Sequence, residues 1–153
     1  MFSPNAYADR RKALAHLLPD TGLVAIFGNE YSPMNYKDNT YPFRQDSNFL
    51  YFAGINEAHH LLIIDLESGD ATLHGDDLSL DAIVWMGEQP SMAEKSTAIN
   101  TEGHDTYQAG LDRIKAAAAK GAPVHYLPPY RADRVALLAE CLGKSIAEVQ
   151  QGF

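Results

Sequence analysis

One cysteine stands in the whole chain, Cys141, so no internal disulfide can form and a disulfide-stapled secreted module is excluded. Cations are scarce: 12 Lys and Arg face 20 Asp and Glu, a net charge of −8. That balance lacks the clustered positive charge that a phosphate backbone or an anionic membrane surface demands, so neither nucleic acid nor membrane is an expected partner. Long apolar runs are missing as well. The longest charge-free stretches hold Gly, Ser and Asn and fall short of the ~18 apolar residues of a membrane span. Met1 to Lys12 has no apolar segment and carries Asp9, Arg10, Arg11 and Lys12, which does not read as a signal peptide. A soluble cytoplasmic protein is the expectation. The chain also lacks a G-x-G-x-x-G, a Walker loop, a G-x-S-x-G, an H-E-x-x-H and any pair of cysteines. Nothing in it cradles a phosphate, and the common signatures of nucleophilic and zinc hydrolases are absent.

What remains is ordinary globular composition. The 153 residues are 46% apolar and 21% charged, enough for a single domain, 1–153, with its own core. Ser3-Pro4-Asn5 opens a helix to about Leu18, with Ala13, Leu14, Leu17 and Leu18 as its apolar stripe and Pro19-Asp20-Thr21-Gly22 as its stop. Leu23-Val24-Ala25-Ile26-Phe27, apolar throughout and bounded by Gly22 and Gly28, reads as a buried strand. Asn29 to Thr40 is polar and reads as a loop long enough to carry function. A short helix is expected from near Ser47 to Gly54, with a strand as the alternative. His60–Leu66 and Ala71–His74 flank Glu67-Ser68-Gly69-Asp70 and predict a hairpin. Ser79 heads a helical turn over Leu80 to Trp85. Ser91-Met92-Ala93-Glu94 has the spacing of a capping box. Helices over Thr106–Lys120 and Arg131–Leu142 enclose a strand at Pro123–Leu127, and Lys144–Gln150 adds a last turn. Strands alternating with helices, with at least one antiparallel pair, give an α/β fold with a mixed sheet.

Six histidines raise the question of a metal. His59 and His60 are adjacent and, on a strand, would face opposite ways. His74 lies near Asp76 and Asp77, and a small metalloenzyme using His59, His74 and Asp76 is the most remote reading; surface or hydrogen-bonded histidines are the simpler one. Asp76, Asp77 and Asp81 lack calcium-loop spacing and read as solvated or helix-start charges. Cys141, in an apolar helical pattern, reads as a small buried hydrophobe. Tyr31, Tyr36, Tyr41, Phe43, Phe49, Tyr51 and Phe52 crowd one segment, interleaved with Asp38, Arg44, Gln45, Asp46 and Ser47. Those polar groups cannot all be buried unpaired. They form either a local network, such as Arg44 with Asp46 or Asp38, or the wall of a pocket. Arg44, one charge amid aromatics, is expected to be at least half buried, with its loss costing about 3 kcal/mol or more.

Asp38, followed by Tyr41-Pro42-Phe43-Arg44-Gln45-Asp46-Ser47-Asn48-Phe49-Leu50-Tyr51-Phe52-Ala53-Gly54, resembles the signature Y-P-[FY]-R-Q-x-S-[DN]-F-x-Y-[FL]-x-G of the N-terminal domain of aminopeptidase P (Xaa-Pro aminopeptidase). Leu61–Leu66 with its hairpin and Ala82-Ile83-Val84-Trp85-Met86-Gly87 continue the resemblance, in order, over nearly the whole chain. Glu30 to Lys37 matches nothing in that pattern. The resemblance implies a mixed sheet of about six strands flanked by helices, akin to the ribonuclease H-like motif. It implies a non-catalytic domain that precedes a C-terminal pita-bread catalytic domain in the same polypeptide. That second domain, absent from this chain, would hold a dinuclear manganese site and cleave the residue before proline by metal-assisted hydrolysis. No cofactor is expected in these 153 residues.

By the same resemblance, the domain shapes the active-site mouth for proline-containing peptides and builds a homo-oligomer. Asp38 falls at the substrate approach. Trp85 falls where an aromatic projects toward a neighbouring subunit, so it is expected to be at least partly exposed. Tyr41, Pro42, Arg44, Ser47 and Gly54 are the motif's structural positions. The same domain of a prolidase (Xaa-Pro dipeptidase), or a free-standing binding or oligomerisation module of this fold, are the alternatives.

Overall fold

The computed structural model describes residues 2–31, 42–87, 89–129 and 131–151. The elements run α1 (Pro4–His16), β1 (Leu23–Phe27), α2 (Ser47–Ala53), β2 (Leu61–Asp65), β3 (Ala71–His74), α3 (Leu80–Met86), α4 (Met92–Ala98), β4 (Gly103–Asp105), α5 (Tyr107–Ala119), β5 (Val124–Tyr126), α6 (Ala132–Leu142) and α7 (Ile146–Gln151). The two apolar runs, β1 and β2, pair antiparallel, Leu23 opposite Asp65 and Phe27 opposite Leu61. Both are buried from their first residue through their fourth, as a strand covered on both faces must be. The β2–β3 hairpin is antiparallel, while β5 joins β1 and β4 joins β3 in parallel. The sheet order is β4-β3-β2-β1-β5.

Alternation along the central strands divides the core. Val24, Ile26, Leu62, Ile64 and Leu73 pack with Tyr7 of α1, Phe49 and Ala53 of α2, and Met92 of α4. Leu23, Ala25, Leu61 and Ile63 point the other way, against Tyr107, Leu111 and Ile114 of α5 and Cys141 of α6. The result is a mixed sheet between two helical layers. Local signals fix the helices: Ser3 caps α1, Thr106 caps α5, and Ser91 with Glu94 closes a capping box on α4. Gly110 lets α5 lie close on the sheet, since a Cβ there would come within 2.7 Å of the Leu61 side chain and 2.8 Å of the His74 ring.

The hairpin, the short helix at Ser47, the capping box and the buried Cys141 follow the sequence reading. Other expectations change. The sheet holds five strands among the described residues, where about six were expected. Its edge strand β4, Gly103-His104-Asp105, carries no β-forming side chain and owes its place to backbone pairing with Thr72–His74. His59 and His60 precede β2 rather than lying on it, and His59 adopts φ 66°. The α1 stripe is also displaced. Ala13 and Leu17 are exposed, and the buried positions are Tyr7 and Arg11. Much of the Asn29–Thr40 loop expectation falls outside the described residues.

Arg11 is a buried cation with a purpose in the fold. Its guanidinium donates to the carbonyls of Phe52 (3.0 Å), Ile99 (2.7 Å) and Asn100 (2.9 Å), joining the ends of α2 and α4 to α1. Those carbonyls would otherwise be left without partners at helix ends. Its neighbour Arg10 lies outside, 4.5 Å over Phe2 and 4.2 Å over Tyr51. Arg11→Ala is expected to cost about 3 kcal/mol or more in urea unfolding, and Arg10→Ala about 1 kcal/mol or less.

Candidate functional site

The polar residues of the fold gather at one end of the sheet. The exits of β1, β3, β4 and β5 and the entry of β2 share that end, because β2 runs against its neighbours. Gln45 is its organiser. The side-chain oxygen accepts the backbone N–H of Asn29 (2.7 Å) and of Asp46 (3.1 Å). Its amide nitrogen donates to the carbonyls of Ile55 (2.9 Å) and Glu57 (2.8 Å). Asn29 in turn donates from Nδ2 to the Arg44 carbonyl at 3.1 Å. Asp46 caps α2 by accepting from the N–H groups of Asn48 and Phe49. Gly54 ends the same helix at φ 67°, where a Cβ would also collide with the Tyr7 ring.

Beside this network, Arg134 of α6 is buried over the Phe27 ring at 4.3 Å. It donates to the Gly28 carbonyl (2.8 Å) and the Tyr107 hydroxyl (3.2 Å), and lies 3.7 Å from Glu30 Oε2. His59 stacks on Tyr107 with ring centres 3.8 Å apart. Its Nδ1 is 3.0 Å from Glu30 and its Nε2 3.4 Å from Asp76. The hydrogen bond to Glu30 holds the His59 pKa above the ordinary histidine value. His60 and His74 go the other way. Burial pushes both below it. His60 bonds the Ala58 carbonyl and accepts from Lys95; His74 bonds the Thr106 carbonyl and accepts from Arg113. Asp76 accepts the Tyr107 N–H and Asp77 the Met92 N–H, so both serve helix starts.

The structure does not bring His59, His74 and Asp76 together as one ligand set. His74 is turned into the core with both ring nitrogens engaged, and among the described residues no three His, Cys, Asp or Glu side chains converge on a point. The described residues therefore do not fit a dinuclear metal set.

The residues named from the motif disperse. Asp38 and Tyr41 lie outside the described residues. Pro42, Arg44 and Ser47 are exposed, and Ser47 opens α2. Arg44 is exposed rather than the buried cation expected, since an unpaired guanidinium is costly to desolvate, and the amide beside it, Gln45, takes the partly buried position. Trp85 is 87% exposed on α3, with Leu80 and Val84 exposed beside it. Arg134 was not singled out by the sequence, while Gln45 was named only among the polar residues of the motif and His59 only as a metal ligand. Arg134 had a signal, since it precedes Leu138 and Cys141 by four and seven residues on the buried face of α6.

A family model described as "Aminopeptidase P, N-terminal domain" matches residues 7–123. The chain belongs to the aminopeptidase P N-terminal domain family. A probable Xaa-Pro aminopeptidase of Talaromyces stipitatus is 34% identical over 84 residues, covering 55% of this chain and 17% of that protein. One from Aspergillus flavus is 31% identical over 109 residues, covering 71% and 20%. Aminopeptidase P from E. coli, in its low-pH form, superposes with a TM-score of 0.74 at 21% identity over 94% of this chain and 33% of that one. Proline aminopeptidase P II from Yersinia pestis gives 0.75 at 20% identity, over 93% and 33%. These structures share the fold. The chain thus spans 17–24% of the length of the first two curated relatives it matches. Within this aminopeptidase P domain, Arg134→Leu is expected to cost about 3–5 kcal/mol, because it leaves Glu30, Tyr107 and the Gly28 carbonyl without their cation. Arg44→Ala should stay within about 0.5 kcal/mol. Urea denaturation of both variants checks the contrast.

Proposed function

We propose that this chain is the non-catalytic N-terminal domain of a Xaa-Pro aminopeptidase, shaping the approach of proline-containing peptides to an active site housed in a second domain of the same polypeptide. Family membership supports the reading, and so does the chemistry at the sheet end. The histidines, carboxylates and arginines described there are committed to one another and to backbone groups, which suits a scaffold better than a reaction centre. The metal chemistry belongs to the partner domain, and manganese in a dinuclear site is the metal we assign to it.

The observation that carries the proposal furthest is α3. Leu80, Val84 and Trp85 are each at least 80% exposed. Large apolar side chains on one short helix are costly to leave in water and are preferred anchors at interfaces. We assign this ridge to contact with a neighbouring subunit of a homo-oligomer, with Trp85 reaching toward that subunit's substrate approach and Asp38 lining the approach from its own. Cys141, buried and with its thiol pKa raised by burial, suits a reducing compartment such as the cytoplasm.

Activity, fluorescence and stability measurements test this. The 153-residue chain by itself should hydrolyse no Xaa-Pro peptide with Mn²⁺ added; turnover that disappears in a His74→Ala or Asp76→Ala variant would contradict the assignment. In the chain alone, Trp85 should emit at long wavelength and be quenched readily by acrylamide. Trp85→Ala should change stability by well under the ~3–5 kcal/mol of a core deletion, and in a full-length enzyme should impair hydrolysis more than folding. A blue-shifted, quencher-protected emission returns Trp85 to a structural role.

A further inference from the structure

We propose that His59 is a proton-operated latch: in its charged form it ties together the segment leaving β1, the entry of β2 and the start of α5, and on losing its proton it releases that tie. The geometry rests on three elements that meet at one imidazole. Glu30, from the segment after β1, faces Nδ1 at 3.0 Å. Asp76, from the segment after β3, faces Nε2 at 3.4 Å. Tyr107, the first residue of α5, lies flat against the ring at 3.8 Å with 25° between planes. A neutral imidazole carries one N–H and can donate to only one of the two carboxylates; the imidazolium carries two and serves both. Two acids on opposite edges of one ring therefore select the charged form.

The surroundings make the choice consequential. Glu30 Oε2 is buried and accepts no hydrogen bond among the described residues; the Arg134 guanidinium lies 3.7 Å from it. Arg134 is itself shared with the Tyr107 hydroxyl and the Gly28 carbonyl. When His59 is neutral, Glu30 keeps a charge that falls to Arg134 to balance. The backbone is shaped to the same end. His59 holds φ 66°, a left-handed conformation that a residue with a Cβ adopts only under strain. The same conformation puts the His59 N–H on the Asn29 carbonyl at 3.2 Å, so backbone and side chain grip adjacent residues of one segment. The charged groups facing the imidazole are thus Glu30, Asp76 and, behind them, Arg134, with the Tyr107 hydroxyl remaining neutral because burial raises its pKa. All of these groups lie in this chain, so the latch needs no hydrolase domain and stands whether or not that reading does.

The sign follows from linkage. A histidine whose folded pKa is raised contributes stability that is fully present below its ordinary value of 6.5 and lost as pH rises through the folded value. His60 and His74, with lowered values, act oppositely, so the test must isolate His59. The experiment is NMR titration of the histidine ring signals and backbone amides between pH 5 and 9, in the unaltered chain and in Glu30→Gln and Asp76→Asn. His59 is expected to titrate above 6.5, with the amides of Asn29, Glu30 and Tyr107 moving at the same midpoint while those of Leu62 and Ile63 stay still. Glu30→Gln should lower the midpoint, and Asp76→Asn should lower it less. An unchanged midpoint in Glu30→Gln would overturn the latch, as would amides of Asn29 and Tyr107 that ignore the His59 titration. Tyr107→Phe, which retains the stacked ring, should leave the midpoint above that of Glu30→Gln; a midpoint falling to the Glu30→Gln value would also overturn it.

Discussion

Gln45 is the side chain on which the rest of the arrangement turns. A primary amide has two N–H donors and an oxygen that accepts twice, and here all four are used, on four different backbone groups. Those groups belong to the exit of β1, the first cap of α2 and the passage from α2 into β2. No apolar side chain could hold three such places at once, and a carboxylate could not donate to the Ile55 and Glu57 carbonyls. Gly28 shows how closely the amide is fitted: a Cβ at that residue would sit 3.2 Å from both of its polar atoms. With Asn29 also donating to the Arg44 carbonyl, the two ends of the stretch between residues 29 and 44 are fastened side by side. The motif Arg44-Gln45-Asp46-Ser47 is therefore a piece of local engineering: an amide that joins segments, a carboxylate that caps α2, and a hydroxyl residue that starts it.

Much of this fold was legible because its signals are local or periodic. The wholly apolar run Leu23–Phe27 reads as a covered strand. Gly69 in a four-residue connection had to be a hairpin, and Ser91 with Glu94 had to be a helix start. The misses share a cause, which is that they depend on partners distant in sequence. Nothing in Gly103-His104-Asp105 favours a strand; its backbone is recruited by β3. Arg11 occupies a buried face of α1 because carbonyls at Phe52, Ile99 and Asn100 converge there. Arg11 falls four residues after Tyr7 and three before Leu14, so the stripe was readable once a cation was allowed on it. Arg44 failed in the opposite sense. Charge drew attention to it, yet desolvating an unpaired guanidinium costs more than desolvating an amide that finds all its partners.

The candidate site was less legible than the fold. The family resemblance named residues by position, and the described ones among them are dispersed: Pro42 and Arg44 lie exposed outside regular structure, Ser47 starts α2, Gly54 ends it and Trp85 is exposed on α3. The cluster that does form, around His59 and Arg134, joins segments 29–30, 59, 76, 107 and 134, a separation no pattern of spacing encodes. Chemistry and shape are accordingly divided in this domain. The described polar groups of that cluster hold strand ends and loops in place, and Leu80, Val84 and Trp85 on α3 stay exposed.

The most direct measurement of this account is the stability and amide exchange of Gln45→Leu, which keeps the bulk and removes the four bonds. Loss of about 3 kcal/mol is expected, with exchange at Asn29 and Asp46 accelerated well beyond that at the β2–β3 ladder. A variant within about 0.5 kcal/mol of the original chain, with Asn29 still protected, would show that the segments around Gln45 are held by something other than its amide.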